Sequence, residues 1–142
     1  LDMVTIAESG TIVHPQGMEN QLVGGAVWGI GLSGYERHLY DPQNGLPAST
    51  GYWRSKVPTY LDTPVKIGTG WVDLPDPENP VGARGIGEPS MGAVSAALTA
   101  AITDALDGHH FATAPITADM IINHLAGTEE NAAPLAQNNF RG

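Results

Sequence analysis

The chain has 142 residues, with fifteen Asp and Glu against six Lys and Arg, a net charge of −9 and no cysteine. That acidity argues against a nucleic acid or an anionic membrane as partner surface, and the absent thiols exclude a disulfide framework, a zinc ribbon or a cysteine-held iron–sulfur cluster built from this chain alone. The length suits one domain with a sizeable core, no run approaches the roughly eighteen apolar residues of a membrane span, and eighteen glycines with eleven prolines mark a backbone rich in loops.

The start lacks an initiator methionine and enters a strand-like segment almost at once, so the chain reads as a piece of something larger. Met3 to Val13 reads as two short strands turning about Glu8-Ser9-Gly10, with Val4, Ile6, Ile12 and Val13 as the apolar members of a hairpin. His14-Pro15 closes it, and a single histidine without a partner at metal-binding spacing reads as structural. From Gly17 to about His38, Met18, Leu22, Val23, Ala26, Val27, Ile30 and Leu32 follow a helical rhythm. Gly24, Gly25, Gly29, Gly31 and Gly34 interrupt it, each costing up to about 1 kcal/mol relative to alanine. Such a helix must be held by tertiary contacts, and its glycines allow close approach of another backbone or a flat ligand. Gln21, on position alone, is an exposed polar residue of this helix.

Gly29-Ile-Gly-Leu-Ser-Gly34 also satisfies the dinucleotide pattern G-x-G-x-x-G. The pattern belongs between a strand and a helix, with an acid about twenty residues on. Here it sits within a helical rhythm and reads as a decoy. Asn44-Gly45 marks a turn with φ > 0. Between Ser49 and Tyr60, Tyr52, Trp53, Arg54, Lys56 and Tyr60 interleave aromatic and basic character, but two charges are too few for a nucleic-acid groove. Arg54 and Lys56 read as solvated charges, with an interface or cofactor-phosphate role as the alternative. Val65 to Asp73 alternates as a strand weakened by glycine, and Leu74 to Pro80 is a proline-stiffened linker.

The chain is organised around Pro80 to Gly108. Gly82, Gly85 and Gly87 allow positive φ or close approach to a ligand, and Pro89 presets the first turn of a helix. Met91, Val94, Ser95, Leu98, Ile102 and Leu106 give that helix one buried face, with Gly108 placed to end it. Glu88 therefore stands at a helix mouth, either as a capping acid or as a base at the floor of a pocket walled by glycine backbone. His109-His110 are adjacent and cannot easily meet one metal. Pro115 to Gly127 reads as a short last helix with Thr117 as N-cap, Asp119 in the first turn and Ile121 and Leu125 inward. Residues 128–142 read as a polar tail.

Gly82-Ala-Arg-Gly-Ile-Gly-Glu88 resembles the glycine-rich segment ending in the catalytic glutamate of the molybdenum hydroxylases, the xanthine dehydrogenase, aldehyde oxidoreductase and carbon monoxide dehydrogenase group. Ile12-Val-His-Pro-Gln-Gly-Met-Glu-Asn-Gln21-Leu-Val-Gly-Gly-Ala-Val-Trp-Gly-Ile-Gly31 resembles a second segment of that family, whose first glutamine lies beside the pterin. The two occur in the family's order. The resemblance covers residues 1–127 and implies the C-terminal portion of the molybdopterin-binding large subunit: an α+β fold whose mixed sheet, with packed helices, is completed by another chain. It implies hydroxylation of an aldehyde, purine or other N-heterocycle with water as oxygen source and Glu88 as general base. It places Gln21, Gly85, Ile86, Gly87 and Arg84 around a molybdenum–pterin cofactor in the cytosine dinucleotide form, with no metal ligand from this chain. Arg84 is a candidate for anchoring the loop or countering cofactor charge. Trp28 departs from the many relatives that carry glutamine there. The implied partners are the remainder of the molybdenum subunit, an iron–sulfur subunit carrying 2Fe–2S and an FAD subunit, in the cytoplasm or periplasm. Two rivals from other classes are a non-catalytic assembly subunit and a glycine-rich nucleotide-binding module.

Overall fold

The computed structural model describes residues 2–128 and is α+β. The elements in order are β1 (Asp2–Glu8), α1 (Pro15–Gly34), α2 (Tyr52–Ser55), a 3-10 turn (Tyr60–Asp62), β2 (Lys66–Val72), α3 (Pro89–Ala105) and α4 (Ala118–Leu125). The tail expected over 128–142 lies, past Thr128, outside the described residues.

The hairpin expected over Met3 to Val13 does not form. β1 instead pairs in parallel with β2, in register from Asp2 opposite Lys66 to Glu8 opposite Val72. The turn itself is real: Glu8 Oε1 accepts the Gly10 N–H at 2.6 Å, and Gly10 takes a φ of 70°. It delivers the chain not back along β1 but to the glycine loop, where Gly10 bridges to Ala83. The partner is remote in sequence, so local alternation could not name it. Side chains alternate across the sheet. Met3 and Ile67 pack against the helices, while Val4 and Ile6 stay outward beside Gly68 and Gly70, 70% and 66% exposed.

The core is the seam between α1 and α3. Ala26, Ile30 and Val94 form its centre, with Met3, Tyr35 and Ile67 against it, and Met18 and Leu22 are buried further along α1. Gly25, Gly29 and Ser33 recur at a spacing of four and so share one face of α1. A Cβ on Gly25 would run into the Ser90 side chain, and one on Gly29 into Val94. Ser33 Oγ donates to the Gly29 carbonyl at 2.5 Å and shares a hydrogen bond with Ser95 Oγ at 2.7 Å. Gly31 faces elsewhere, toward Pro58 and Glu36. The tertiary contacts that the glycine-loaded helix required are therefore those of α3 and the segment around Pro58.

α3 opens with Pro89 in its first turn and stops at Ala105, short of Gly108. Asp107 (φ 53°) and Gly108 (φ 91°) both turn left-handed there, and the Gly108 N–H returns to the Thr103 carbonyl at 2.9 Å. α4 begins after Thr117, as the sequence predicts, but the Thr117 side chain makes no capping hydrogen bond, and Leu125, expected inward, is 69% exposed. Arg37 to Asp119 at 3.8 Å and a stack of His124 on His109, centroids 3.6 Å apart, tie it to the rest.

The loop before α3 is held at its base. Gly82 takes a φ of 72°, and its carbonyl accepts from Thr11 N–H at 2.7 Å and Asp76 N–H at 2.8 Å. The Arg84 N–H donates to the Ser9 carbonyl at 2.6 Å. The Arg84 guanidinium bridges two carboxylates, Nε to Asp76 at 2.8 Å and Nη1 to Glu8 at 2.7 Å. Arg84, ahead of the Glu78 backbone N–H, holds the Asp76 carboxyl below its ordinary value of 3.8.

Two outcomes are expected. Gly29→Ala overpacks the seam and destabilises the fold by about 1–3 kcal/mol, whereas Gly24→Ala, where a Cβ meets nothing within 4 Å, stabilises it by up to about 1 kcal/mol; thermal denaturation of the complex containing this chain separates them. Because folding lowers the Asp76 value, the clamp's contribution is complete above the ordinary carboxylate value and disappears as pH falls through the lowered one. Protection of the Gly82 to Arg84 amides, relative to their intrinsic exchange at each pH, should fall on acidification below about pH 4, and Asp76→Asn should lower it at neutral pH.

Candidate functional site

Gln21, Arg84 and Ile86, drawn from the two segments singled out in the sequence, line one cleft of ≈ 370 Å³. His14 and Ala83 complete its rim, and Met18 lies at its base. Two devices assemble it. The bridge between Gly10 and Ala83 and the Arg84 clamp bring the glycine loop against the end of β1. Ser90 Oγ then donates to the backbone carbonyl of Gln21 at 3.0 Å, which keys the first turn of α3 to the second turn of α1. The Gln21 side chain is exposed.

Gly85, Gly87 and Glu88 are exposed beyond this cleft, while Ile86 is half-buried. A Cβ on Gly85 or Gly87 would meet nothing within 4 Å, and neither takes positive φ. Of the three loop glycines, only Gly82 is required by backbone conformation. Glu88 occupies the N-cap position of α3 with a φ of −123° and a ψ of −23°, yet its side chain makes no capping hydrogen bond. Capping by a hydrogen bond is therefore absent, and what remains of that account is the charge of the helix mouth. Nor do the described residues supply the pocket that the base account placed around it: Glu88 is exposed at an open helix mouth, where the dipole favours negative charge.

Other sequence candidates are elsewhere. Lys56 pairs with Asp62 at 3.2 Å and lies 4.8 Å from the Tyr35 ring centroid, and Arg54 Nη1 reaches the Ala48 carbonyl at 3.4 Å. Neither lines the cleft. Gly29 to Gly34 is interior to α1, with Gly29 against Val94, so the dinucleotide pattern has no phosphate-binding loop. Trp28, two turns beyond Gln21, is 43% exposed. His109 is stacked on His124 rather than paired with His110, and among the described residues no group of three His, Asp or Glu is arranged around a metal position. A larger hollow of ≈ 740 Å³ runs along α3 past Ala96, Ala100 and His110. It contains none of the residues of the two motifs and is walled mainly by small side chains, which fits a packing surface.

Sequence reading missed the residues that place the site: Ser90, Glu8 and Asp76. Ser90 lies in the motif helix and was legible as a small residue; the partnership of Glu8 with Arg84, 76 positions apart, left no local signal.

Comparison with known proteins bears on the family of the chain. The model of the molybdopterin cofactor-binding domain matches residues 1–64. The chain is 35% identical over 124 residues to the 6-hydroxypseudooxynicotine dehydrogenase complex subunit gamma of Paenarthrobacter nicotinovorans, covering 87% of this chain and 16% of that protein. It is 30% identical over 127 residues to the putative xanthine dehydrogenase molybdenum-binding subunit XdhA of Escherichia coli (strain K12), covering 88% and 17%. The chain thus spans about a sixth of the length of these relatives. Quinoline 2-oxidoreductase from Pseudomonas putida 86 superposes with a TM-score of 0.79 at 31% identity, over 88% of this chain and 16% of that one. With both motifs converging on one cleft, the chain belongs to the molybdenum hydroxylase family, as a stretch of its molybdopterin-binding large subunit.

Proposed function

We propose that this chain is the C-terminal portion of the molybdenum subunit of a hydroxylase that oxidises an N-heterocycle or aldehyde with water as oxygen source. The observation that carries the reading is the convergence of Gln21, Arg84 and Ile86 on one cleft, next to a helix mouth whose acid, Glu88, is not spent on capping.

The residues fit a molybdenum–pterin group. Gln21 offers a carboxamide that both donates and accepts, as the edge of a pterin requires. Gly85 and Gly87 are bare although nothing in this chain demands it, which fits a group lying against the loop from outside. Ile86 gives the cleft an apolar wall. Arg84, already paired with two carboxylates, serves this site by fixing the loop rather than by countering cofactor charge. When bound, the molybdenum–pterin group supplies the redox chemistry by taking up two electrons from the substrate carbon. Glu88 acts as general base: a carboxylate oxygen receives the proton of the oxygen nucleophile as that oxygen bonds to an electron-poor carbon. The cytosine dinucleotide form of the cofactor belongs to the same reading. Relatives named for xanthine, quinoline and 6-hydroxypseudooxynicotine favour a nitrogen heteroaromatic, and one named aldehyde oxidoreductase keeps the aldehyde.

The remainder of the molybdenum subunit completes the sheet and closes over Glu88. A parallel strand pair is stable when covered on both faces, yet Val4, Ile6 and Val65 stand open here, as do Trp53 and Leu61. Electrons leave through 2Fe–2S and FAD subunits. No helix among the described residues is long and apolar enough to cross a membrane.

In the complex purified through this chain, molybdenum and pterin should be found near one per copy, with larger partner chains. Glu88→Gln should lower kcat by about 10²–10⁴-fold while cofactor content and melting midpoint hold. Full turnover in that variant would make the chain a non-catalytic assembly subunit; a complex without molybdenum, and nicotinamide binding by the chain, would make it a nucleotide-binding module. Gly87→Ala should leave the melting midpoint unchanged and reduce cofactor content, since its cost falls on what approaches from outside.

A further inference from the structure

His14 lines the same cleft as Gln21, Arg84 and Ile86. It is the N-cap of α1, and its Nδ1 accepts the Gly17 N–H at 2.7 Å. A ring nitrogen that accepts carries no proton, so the neutral imidazole holds its proton on Nε2. The cap thus selects the tautomer, and the exposed ring has one polar function left, an N–H donor. His14 and Gln21 are two helical turns apart, which places them on one side of α1 with Met18 between them and separates them by about 10 Å along the axis. The charged neighbour in the cleft, Arg84, is itself a donor, and it is turned to Glu8 and Asp76, which leaves a ligand's acceptor to His14. The first turn of α1 carries no acid that would accept from it.

Two polar contacts set apart along one helix hold a flat ligand against rotation about either one, which a single glutamine cannot do. Resting on the reading of this chain as a cofactor-binding portion, we infer that His14 is a second contact of the pterin cofactor, its Nε2–H donating to an acceptor atom while Gln21 holds another part of the group. This histidine is thereby a binding residue whose orientation is set by the helix it caps.

The test uses the assembled complex. His14→Ser keeps an oxygen for the Gly17 N–H and withdraws the donor from the cleft; His14→Asn keeps both a cap acceptor and an N–H. Retention of molybdenum and pterin after dilution and gel filtration is measured beside the melting midpoint. The expected result is loss of the cofactor about five-fold faster or more in His14→Ser, the effect of one hydrogen bond, at an unchanged midpoint, with His14→Asn closer to wild type. Retention equal to wild type in His14→Ser overturns the inference. So does equal loss in both variants with a lowered midpoint, or failure of His14→Ser to assemble, since either makes the residue structural. A wild-type complex devoid of molybdenum and pterin overturns instead the reading on which the inference rests.

Discussion

Gly25 and Gly29 set the distance between α1 and α3, and that distance decides where Gln21, Ser90 and the mouth of α3 stand relative to one another. Were the helices one side-chain layer further apart, Ser90 could not reach the Gln21 carbonyl. The two motifs would then face different spaces. α1 gives up intrinsic helix stability at each of these glycines and recovers it in packing across the seam and in the Ser33 to Ser95 bond. The low propensity of the helix and the geometry of the cleft are thus one fact seen at two levels.

The glycine loop depends on that seam at one end and on charge at the other. Arg84 answers Glu8 at the end of β1 and Asp76 in the proline linker, so one cation ties a strand, a linker and the loop. These pairs are exposed, and their direct contribution to stability is small. Their value is positional: the Arg84 backbone is fixed to Ser9 as well, which leaves the bare stretch from Gly85 to Gly87 as a short span between two anchored ends, the clamp and the first turn of α3.

Much of this was legible in the chain. Met18, Leu22, Ala26 and Ile30 announce α1 because its buried stripe is regular, and the structure moves its start only from Gly17 to Pro15. Pro89 announces α3 because helix starts have local chemistry, and Thr117 marks the start of α4 although its hydroxyl makes no capping bond. The fold class and the family followed from two motifs and their order. What could not be read was non-local. Glu8-Ser9-Gly10 is a turn, as its residues say, but a turn does not state which strand it serves. The pairing of β1 with β2, and of Arg84 with two acids, exists only once distant parts of the chain have met. Glu88 illustrates the reverse difficulty: sequence placed it correctly at a helix mouth, while the surroundings expected of it are not made by these residues.

The contacts that define the site join Ser33 to Ser95, Gln21 to Ser90 and Glu8 to Arg84, across 62, 69 and 76 residues. β1 likewise waits for β2. Loop closure over such separations must precede any reward from the contacts, so the order of events in folding is late and collective rather than helix by helix. During synthesis, a nascent chain that has emerged only as far as the proline linker already holds β1 and β2 but has α1 without its seam. It exposes a glycine-rich apolar helix until α3 arrives, so aggregation competes with folding most strongly in that interval.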